Sequence, residues 1–372
     1  MSRARDFADL AAAYSGGGAL GKRNIVDNGN FAVHQIGGTV TVAANTGTDT
    51  LDRWEVDTAN MDNLSIDVTQ ADDIPPELGE GYSHKLQIKT VESAIASNEI
   101  VRVMHFPEAI DCQRLGYGTA NTKTTTVSFW VKSSIAGTFG FNIYAEDGAD
   151  NIGSTYTISS ADTWEKKSLT FAGNTLGVIA NDNGTGVYLH WTIVAGSDFT
   201  GTDNTSWGSY TTGRLAYGHV TNTHATTDES TWQIAGVQSE LGEVATPYEH
   251  LPYAENLAKC QRYLYVVVPK GVGATSYFGN GLYYTSSVAM GFIHYPVTMR
   301  AVPTLEIANA TNDFGIYSNG GLDGLDDFYL NSANTKGMNI ANASDASGTA
   351  GHAGGLFISD STNAYLYIKA RL

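Results

Sequence analysis

The chain of 372 residues is longer than one hydrophobic core usually serves, so two modules are expected. At 42% hydrophobic and 16% charged residues it carries enough apolar material to exclude wholesale disorder. A net charge of −17 excludes nucleic acid and anionic membrane surfaces as natural partners, while leaving room for divalent cations.

Residues 2–14, SRARDFADLAAAY, are predicted as a short N-terminal helix. Ala4, Phe7, Ala8, Ala11 and Tyr14 recur at helical spacing and form one apolar stripe, Ser2 serves as N-cap, and the glycines that follow end the helix. About thirteen residues make a marginal helix in water, so the stripe is expected to serve attachment or oligomerisation. The charged N-terminus lacks the apolar core of a signal peptide, and no run of 18 apolar residues exists. Synthesis in a reducing intracellular compartment, without a signal peptide, is the expected history.

From about Asn24 to Glu249 the pattern is β throughout, in runs such as TVTVAA, SHKLQIKTV, TTTVSFWVKSS and GVYLHWTIVAG bounded by Gly, Asn and Asp. Val127, Phe129 and Val131 alternate with Ser128 and Trp130, as in a half-buried strand. Eight or so such strands without helical interruption predict an antiparallel jelly-roll β-sandwich over 22–250. Pro252, the Glu255/Lys259 spacing and the apolar Ala254, Leu257, Ala258 and Leu264 predict a junction helix over 251–263. Residues 264–372 return to β and are expected to form a smaller C-terminal β-sandwich domain. Within it, the Gly/Asn/Asp/Ser-rich stretch 312–355 is expected to be a long loop. The whole is therefore read as all-β, in four parts: 1–21, 22–250, 251–263 and 264–372.

Catalytic patterns are lacking. Gly16, Gly21 and Lys22 approach a phosphate loop, but Arg23 stands where a Ser or Thr is needed, and a helix precedes it rather than a strand. There is no GxSxG, HExxH or EF-hand loop. The acidic stretch Asp62, Asp67, Asp72, Asp73, Glu77 and Glu80 around Pro75-Pro76 is read as solvated rather than as a glycosidase pair. His34, His105, His190 and His250 lack ligand spacing, and Cys112 and Cys260 are expected to be small buried residues.

Several segments resemble those of bacteriophage tail-fibre and receptor-binding virion proteins. KRNIVDNGNFAVHQIGGT (22–39) and LDRWEV (51–56) resemble the start of a carbohydrate-binding-module-like jelly roll, and TTVSFWVKSS (125–134) an inner strand of it. IAGVQSELGEVATPYEHLPYAENLAKCQRYLY (234–265) is similar to their closing strand, "ATP-aromatic-EH" turn and "CQRYY" helix, and FIHYPVTMRAVPTLEI (292–307) to a strand pair of their C-terminal domain. The resemblance implies a tail-associated virion protein, commonly a homotrimer, whose N-terminus attaches to other phage tail or baseplate proteins. Its C-terminal part would be the receptor-binding tip.

In chemical terms this means binding host cell-surface polysaccharide without a reaction. Aromatic platforms match the apolar faces of sugar rings. Candidates are Trp191, Trp207, Tyr210 and Tyr217 in the first module, and Tyr277, Phe278 and Tyr317, near Tyr283 and Tyr284, in the second. No cofactor is expected beyond a structural Ca²⁺ near Asp323, Asp326 and Asp327. A purely structural virion role (decoration, collar or baseplate) and a polysaccharide depolymerase are the alternatives.

Overall fold

The computed structural model describes residues 22–271, 276–308, 312–342, 345–359 and 364–372. The predicted attachment helix with Ala4, Phe7, Ala8, Ala11 and Tyr14 lies outside them. The described chain is mainly β, in antiparallel sheets with few helices. No helix among the described residues is long and apolar enough to cross a membrane. Two compact units are present, one comprising the chain up to His34 with Gly38–Tyr253, the other Gln35–Gly37 with Ala254–Leu372.

The first unit contains β1 (Val40–Ala43), β2 (Gly47–Asp49), β3 (Trp54–Ala59), β4 (Ser65–Ala71), β5 (Ser83–Thr90), β6 (Ile100–His105), β7 (Thr125–Ser133), β8 (Gly137–Ala145), β9 (Asp150–Ile158), β10 (Glu165–Phe171), β11 (Val187–Ala195), β12 (Gly208–Ser209) and β13 (Thr231–Leu241). They form one sheet in the order β1-β4-β5-β13-β7-β10 and a second in the order β12-β9-β8-β11-β6-β3-β2. Alternation decides the packing. In β3, Trp54, Val56 and Thr58 are buried while Glu55, Asp57 and Ala59 are half-buried. The inward sets of both sheets meet in one core, where Phe129 of β7 packs against Phe141 of β8, Tyr156 of β9 and Trp191 of β11. A β-sandwich of jelly-roll type results.

In the segment 22–34, residues 24–31 and 33 are buried, and polar side chains tie them into this unit. Asn28 donates to the carbonyls of Val33 and Asp52, Asn24 donates to that of Val237, and the Trp54 indole N–H reaches the carbonyl of Asn28. Gly29 lies so close to β13 that a Cβ there would stand 2.1 Å from the Val237 carbonyl oxygen. Short helical turns α1 (Ala109–Cys112) and α2 (Thr223–Thr226) lie between strands.

The second unit opens with α3 (Tyr253–Gln261), whose buried residues are Asn256 and Cys260. The expected apolar face differs: Ala254 is exposed, because the stripe that turns inward is the one running through Asn256 and Cys260 towards Tyr263 and Leu264. Then follow β14 (Leu264–Val268), β15 (Tyr277–Tyr283), β16 (Ala289–His294), β17 (Thr304–Ile307), β18 (Phe314–Ser318), β19 (Gly321–Leu325), β20 (Tyr329–Ala333), β21 (Gly337–Asn342), β22 (Ala353–Ile358) and β23 (Leu366–Lys369). They form a three-stranded sheet β14-β23-β17 and a seven-stranded sheet β19-β18-β22-β15-β16-β21-β20, with a second core that includes Phe314, Ile316, Ile340, Leu356 and Ile368.

The stretch 312–355, expected to be a loop, instead supplies four strands of that sheet and the start of a fifth. Some of its glycines are strand residues over which large side chains lie. A Cβ at Gly315 would enter the Phe357 ring, and one at Gly355 the Tyr277 ring. Cys112 and Cys260 are both buried, and neither forms a disulfide.

Candidate functional site

The seven-stranded sheet of the first unit turns one face to the core and the other outward. Along the outward face, antiparallel register places Tyr188 of β11 opposite Tyr144 of β8, and Tyr144 opposite Asn151 of β9. Phe106, just past β6, packs edge-on against Tyr188 with centroids 5.0 Å apart. Tyr188 lies 5.5 Å from Tyr144, and Tyr144 lies 5.0 Å from Tyr210, just past β12. Four rings thus form a continuous stripe across neighbouring strands, roughly three strand spacings long. Tyr210 is the most open of the four, Tyr144 and Tyr188 are half-buried, and Phe106 closes the other end.

Next to the stripe the register sets a polar row. Asn142 pairs with His190, His190 with Met104, and Met104 with Glu55. One step further, Arg102 pairs with Asp57, and its Nε donates to the Asp57 carboxylate at 3.0 Å while its Nη2 reaches the same oxygen. Glu55 is held above the usual carboxylate range by burial and by Asp57 beside it, with Arg102 opposing. The Tyr188 hydroxyl donates to Glu146; burial first, and that carboxylate second, push its pKa up to about 12. Burial, Glu146 and Tyr210 raise Tyr144 as well. His190 is buried, and neither ring nitrogen has a hydrogen-bond partner among the described residues. Burial, reinforced by Arg102, holds it well below its ordinary pKa, so it is neutral. The face therefore offers aromatic surface, hydroxyls and carboxylates, with Arg102 already committed to Asp57.

Arg214 fixes the loop that carries Tyr210. Its carbonyl accepts from Asn142, Asn151 and Asn204, and its guanidinium donates to Asn151 and to the carbonyl oxygens of Asp203 and Ser206. Tyr210 is then tied to the sheet by its backbone N–H, 2.7 Å from the Ala149 carbonyl.

Of the aromatic candidates read from sequence, only Tyr210 joins this stripe. Trp191 is wholly buried between Trp54, Phe129 and Phe141, so it is a core residue and cannot stack on a ligand. Trp207 packs edge-on against Tyr117 and donates its indole N–H to the Ala172 carbonyl. Tyr217 is exposed, with no ring neighbour among the described residues. In the second unit, Phe278 is packed against Phe314 and Phe328, whereas Tyr277 and Tyr317 are exposed. Tyr283 is buried and Tyr284 exposed.

Asp323, Asp326 and Asp327 do not converge on a point. Asp323 accepts from the Tyr283 hydroxyl and the Ser347 amide, Asp326 accepts from the Asn312 amide, and the Asp327 carbonyl accepts from Asn342. They brace loops and form no carboxylate cluster among the described residues. The carboxylates that do come together among the described residues are Asp62, Glu92 and Glu99, with ligand oxygens within 4.8 Å of one another. Glu92 and Glu99 already accept backbone N–H groups there. His250, expected to bond locally, faces the Tyr248 ring and lies 3.3 Å from Glu80, far away in sequence.

Sequence reasoning missed Phe106, Tyr144 and Tyr188, which sit in or beside strands and read as core. Alternation against Ile143 and Leu189, both buried, is the signal that turns Tyr144 and Tyr188 outward.

No protein-family model matches the chain, and no curated protein matches it. Among solved structures it is similar to the enzymatically active domain of tailspike protein 4 from bacteriophage CBA120, at 15% identity and a TM-score of 0.30, over 59% of this chain and 21% of that one. It is similar to a family 11 carbohydrate-binding module from Clostridium thermocellum, in complex with a β-1,3-1,4-mixed-linked tetrasaccharide, at 10% identity and a TM-score of 0.28 over 56% of this chain and 98% of that one. A xylan-binding domain from Paenibacillus barcinonensis is similar at 13% identity and a TM-score of 0.26, over 57% of this chain and all of that one.

Proposed function

We propose that the chain is a non-enzymatic adhesin of a phage tail, a fibre component that binds neutral host cell-surface glycan on the outward aromatic stripe of its first unit. The observation that carries this reading is the run Phe106–Tyr188–Tyr144–Tyr210, rings in series beside a row of polar groups. Sugar rings present apolar C–H faces to such platforms, and hydroxyls to carboxylates and amides at their edge. Glu55, Asp57 and Glu146 around the stripe disfavour uronates, sialylated chains and other polyanions, since Arg102 is paired already. The segments that resemble phage fibre proteins support a place in the virion, assembly as a homotrimer and attachment through the N-terminus to other tail or baseplate proteins.

The test is binding of the purified protein to an array of neutral and acidic glycans, and to intact host cells, compared with Tyr144→Ala/Tyr210→Ala. Binding to neutral glycans that the double variant loses, while Tyr217→Ala keeps it, supports the reading. Binding unchanged in the double variant moves the site elsewhere. No binding by any form to cells or glycans leaves a structural virion role as the better account, and release of reducing sugar from host polysaccharide would make the protein a depolymerase.

A further inference from the structure

The seven-stranded sheet of the second unit also has two faces. Ile316, Ile340, Leu356 and Ile358 point into the core. On the opposite face, Tyr317 of β18 stands between Leu322 of β19 and Gly355 of β22, and Gly355 pairs with Asn280 of β15. The register of β15 with β16 runs on to place Phe292 beside Asn280, and Phe292 pairs with Asn339 of β21. The Tyr277 ring lies over Gly355, where a Cβ would come within 2.6 Å of it. A neighbouring row runs Ala353, Leu282, Met290, Ala341 and Tyr329.

Tyr277, Phe292, Tyr317, Leu322 and Tyr329 are each 46–63% exposed. At about 200 Å² for a large apolar side chain, they present roughly 550 Å² of surface. That is near the top of what monomers leave open, about 300–600 Å², and approaches the roughly 800 Å² that each partner buries in a standard interface. Neither row contains an Asp, Glu, Lys or Arg among the described residues, although the chain has 38 acidic and 21 basic ones. Copies of a chain with net charge −17 repel one another over most of their surface. A broad face without acidic or basic side chains, its row interrupted only by the neutral amides of Asn280 and Asn339, is where two copies meet without that repulsion.

We infer that this face is the surface through which copies of the chain associate. The inference rests on the oligomeric part of the proposed function and names the residues that make the contact.

The experiment is the mass of the full chain in solution, by sedimentation over a concentration series, for the wild type, Phe292→Asp/Tyr317→Asp and Leu322→Glu. Each variant's circular dichroism and melting temperature report its fold. The expected result is an oligomer for the wild type and a shift to the 39.6 kDa monomer in the folded variants. Leu322→Glu lies on the terminal strand of the sheet and keeps the test valid where the double variant misfolds. A wild type that is monomeric at every concentration, or folded variants of wild-type mass, overturns the inference. Variants of unchanged mass that lose glycan binding would make the face a sugar platform instead. Glycan binding per protomer, measured on the same samples, separates failure of this interface from failure of the aromatic stripe, because Tyr144→Ala alters only the latter.

Discussion

Three tyrosines of the stripe differ in what holds them, and so in what their loss should do. Tyr188 is held by its ring neighbours and by its hydroxyl on Glu146, so Tyr188→Phe keeps the platform and removes one hydrogen bond. A loss of about 1 kcal/mol of stability, the worth of one hydrogen bond, with glycan affinity reduced far less than by Tyr144→Ala, is the expected outcome by calorimetry. Tyr144→Ala removes the central ring and should abolish measurable binding. Buried histidines set a second residue-scale behaviour. His219 and His224 are both pushed down to about 4, chiefly by burial, and His84 to about 3. A base whose folded pKa is depressed binds its proton in the unfolded chain first. Stability is therefore complete above the unfolded value near 6.5 and declines as pH falls from there towards 4. Each such group contributes at most about 1.4 kcal/mol per pH unit in that window. The melting temperature should fall between about pH 6.5 and 4, and His224→Asn should flatten that slope, since its imidazole bridges Ser133 and Ser230.

Among the elements, the strands of the first unit were legible because Val, Ile and aromatic residues alternate with polar ones, as in β7 and β11. The tight seat of the NGN stretch was not, since it depends on β13, more than two hundred residues away. Gly29→Ala would drive a methyl group into the Val237 carbonyl and separate the segment from β13, which donates the hydrogen bond from the Val237 N–H to the Gly29 carbonyl. A loss of about 1–3 kcal/mol, read as a lower melting temperature, is expected. The strands between 312 and 355 escaped notice for the opposite reason. Periodicity is read from side chains, and Gly315, Gly354 and Gly355 have none. Their packing comes from neighbours reaching over them: Phe357 at Gly315, Tyr277 at Gly355, and Ile316 and Ser318 at Gly354. Of the candidate site, Tyr210 was found because it sits in loop-rich sequence, while Tyr144 and Tyr188 were hidden within strands whose outward face only the three-dimensional register reveals.

At the level of the whole molecule, each unit has its own core. A fragment of residues 22–253 should therefore fold and keep the glycan affinity of the stripe, which circular dichroism and the same array would show. The acidity of the chain bears on assembly. If copies meet through the uncharged face of the second unit, their remaining surfaces oppose that meeting, and salt weakens the opposition. Raising sodium chloride from about 0.02 M to about 0.3 M shortens the screening length from roughly 20 Å to roughly 6 Å, so the oligomer should persist to lower protein concentration. Glycan binding at the stripe, built on rings and hydrogen bonds to neutral sugar, should change little over the same range. Tyr277 on that second face rests on the backbone of Gly355, with the Phe357 ring beside it, so the surface directly beneath it is not shaped to a tyrosine. Over generations the upper position can exchange one planar side chain for another and alter what the face presents. The lower one is held, since any side chain there lifts the ring away. Drift among descendants of this chain should gather at 277 and spare 355, two positions that touch but evolve at different rates.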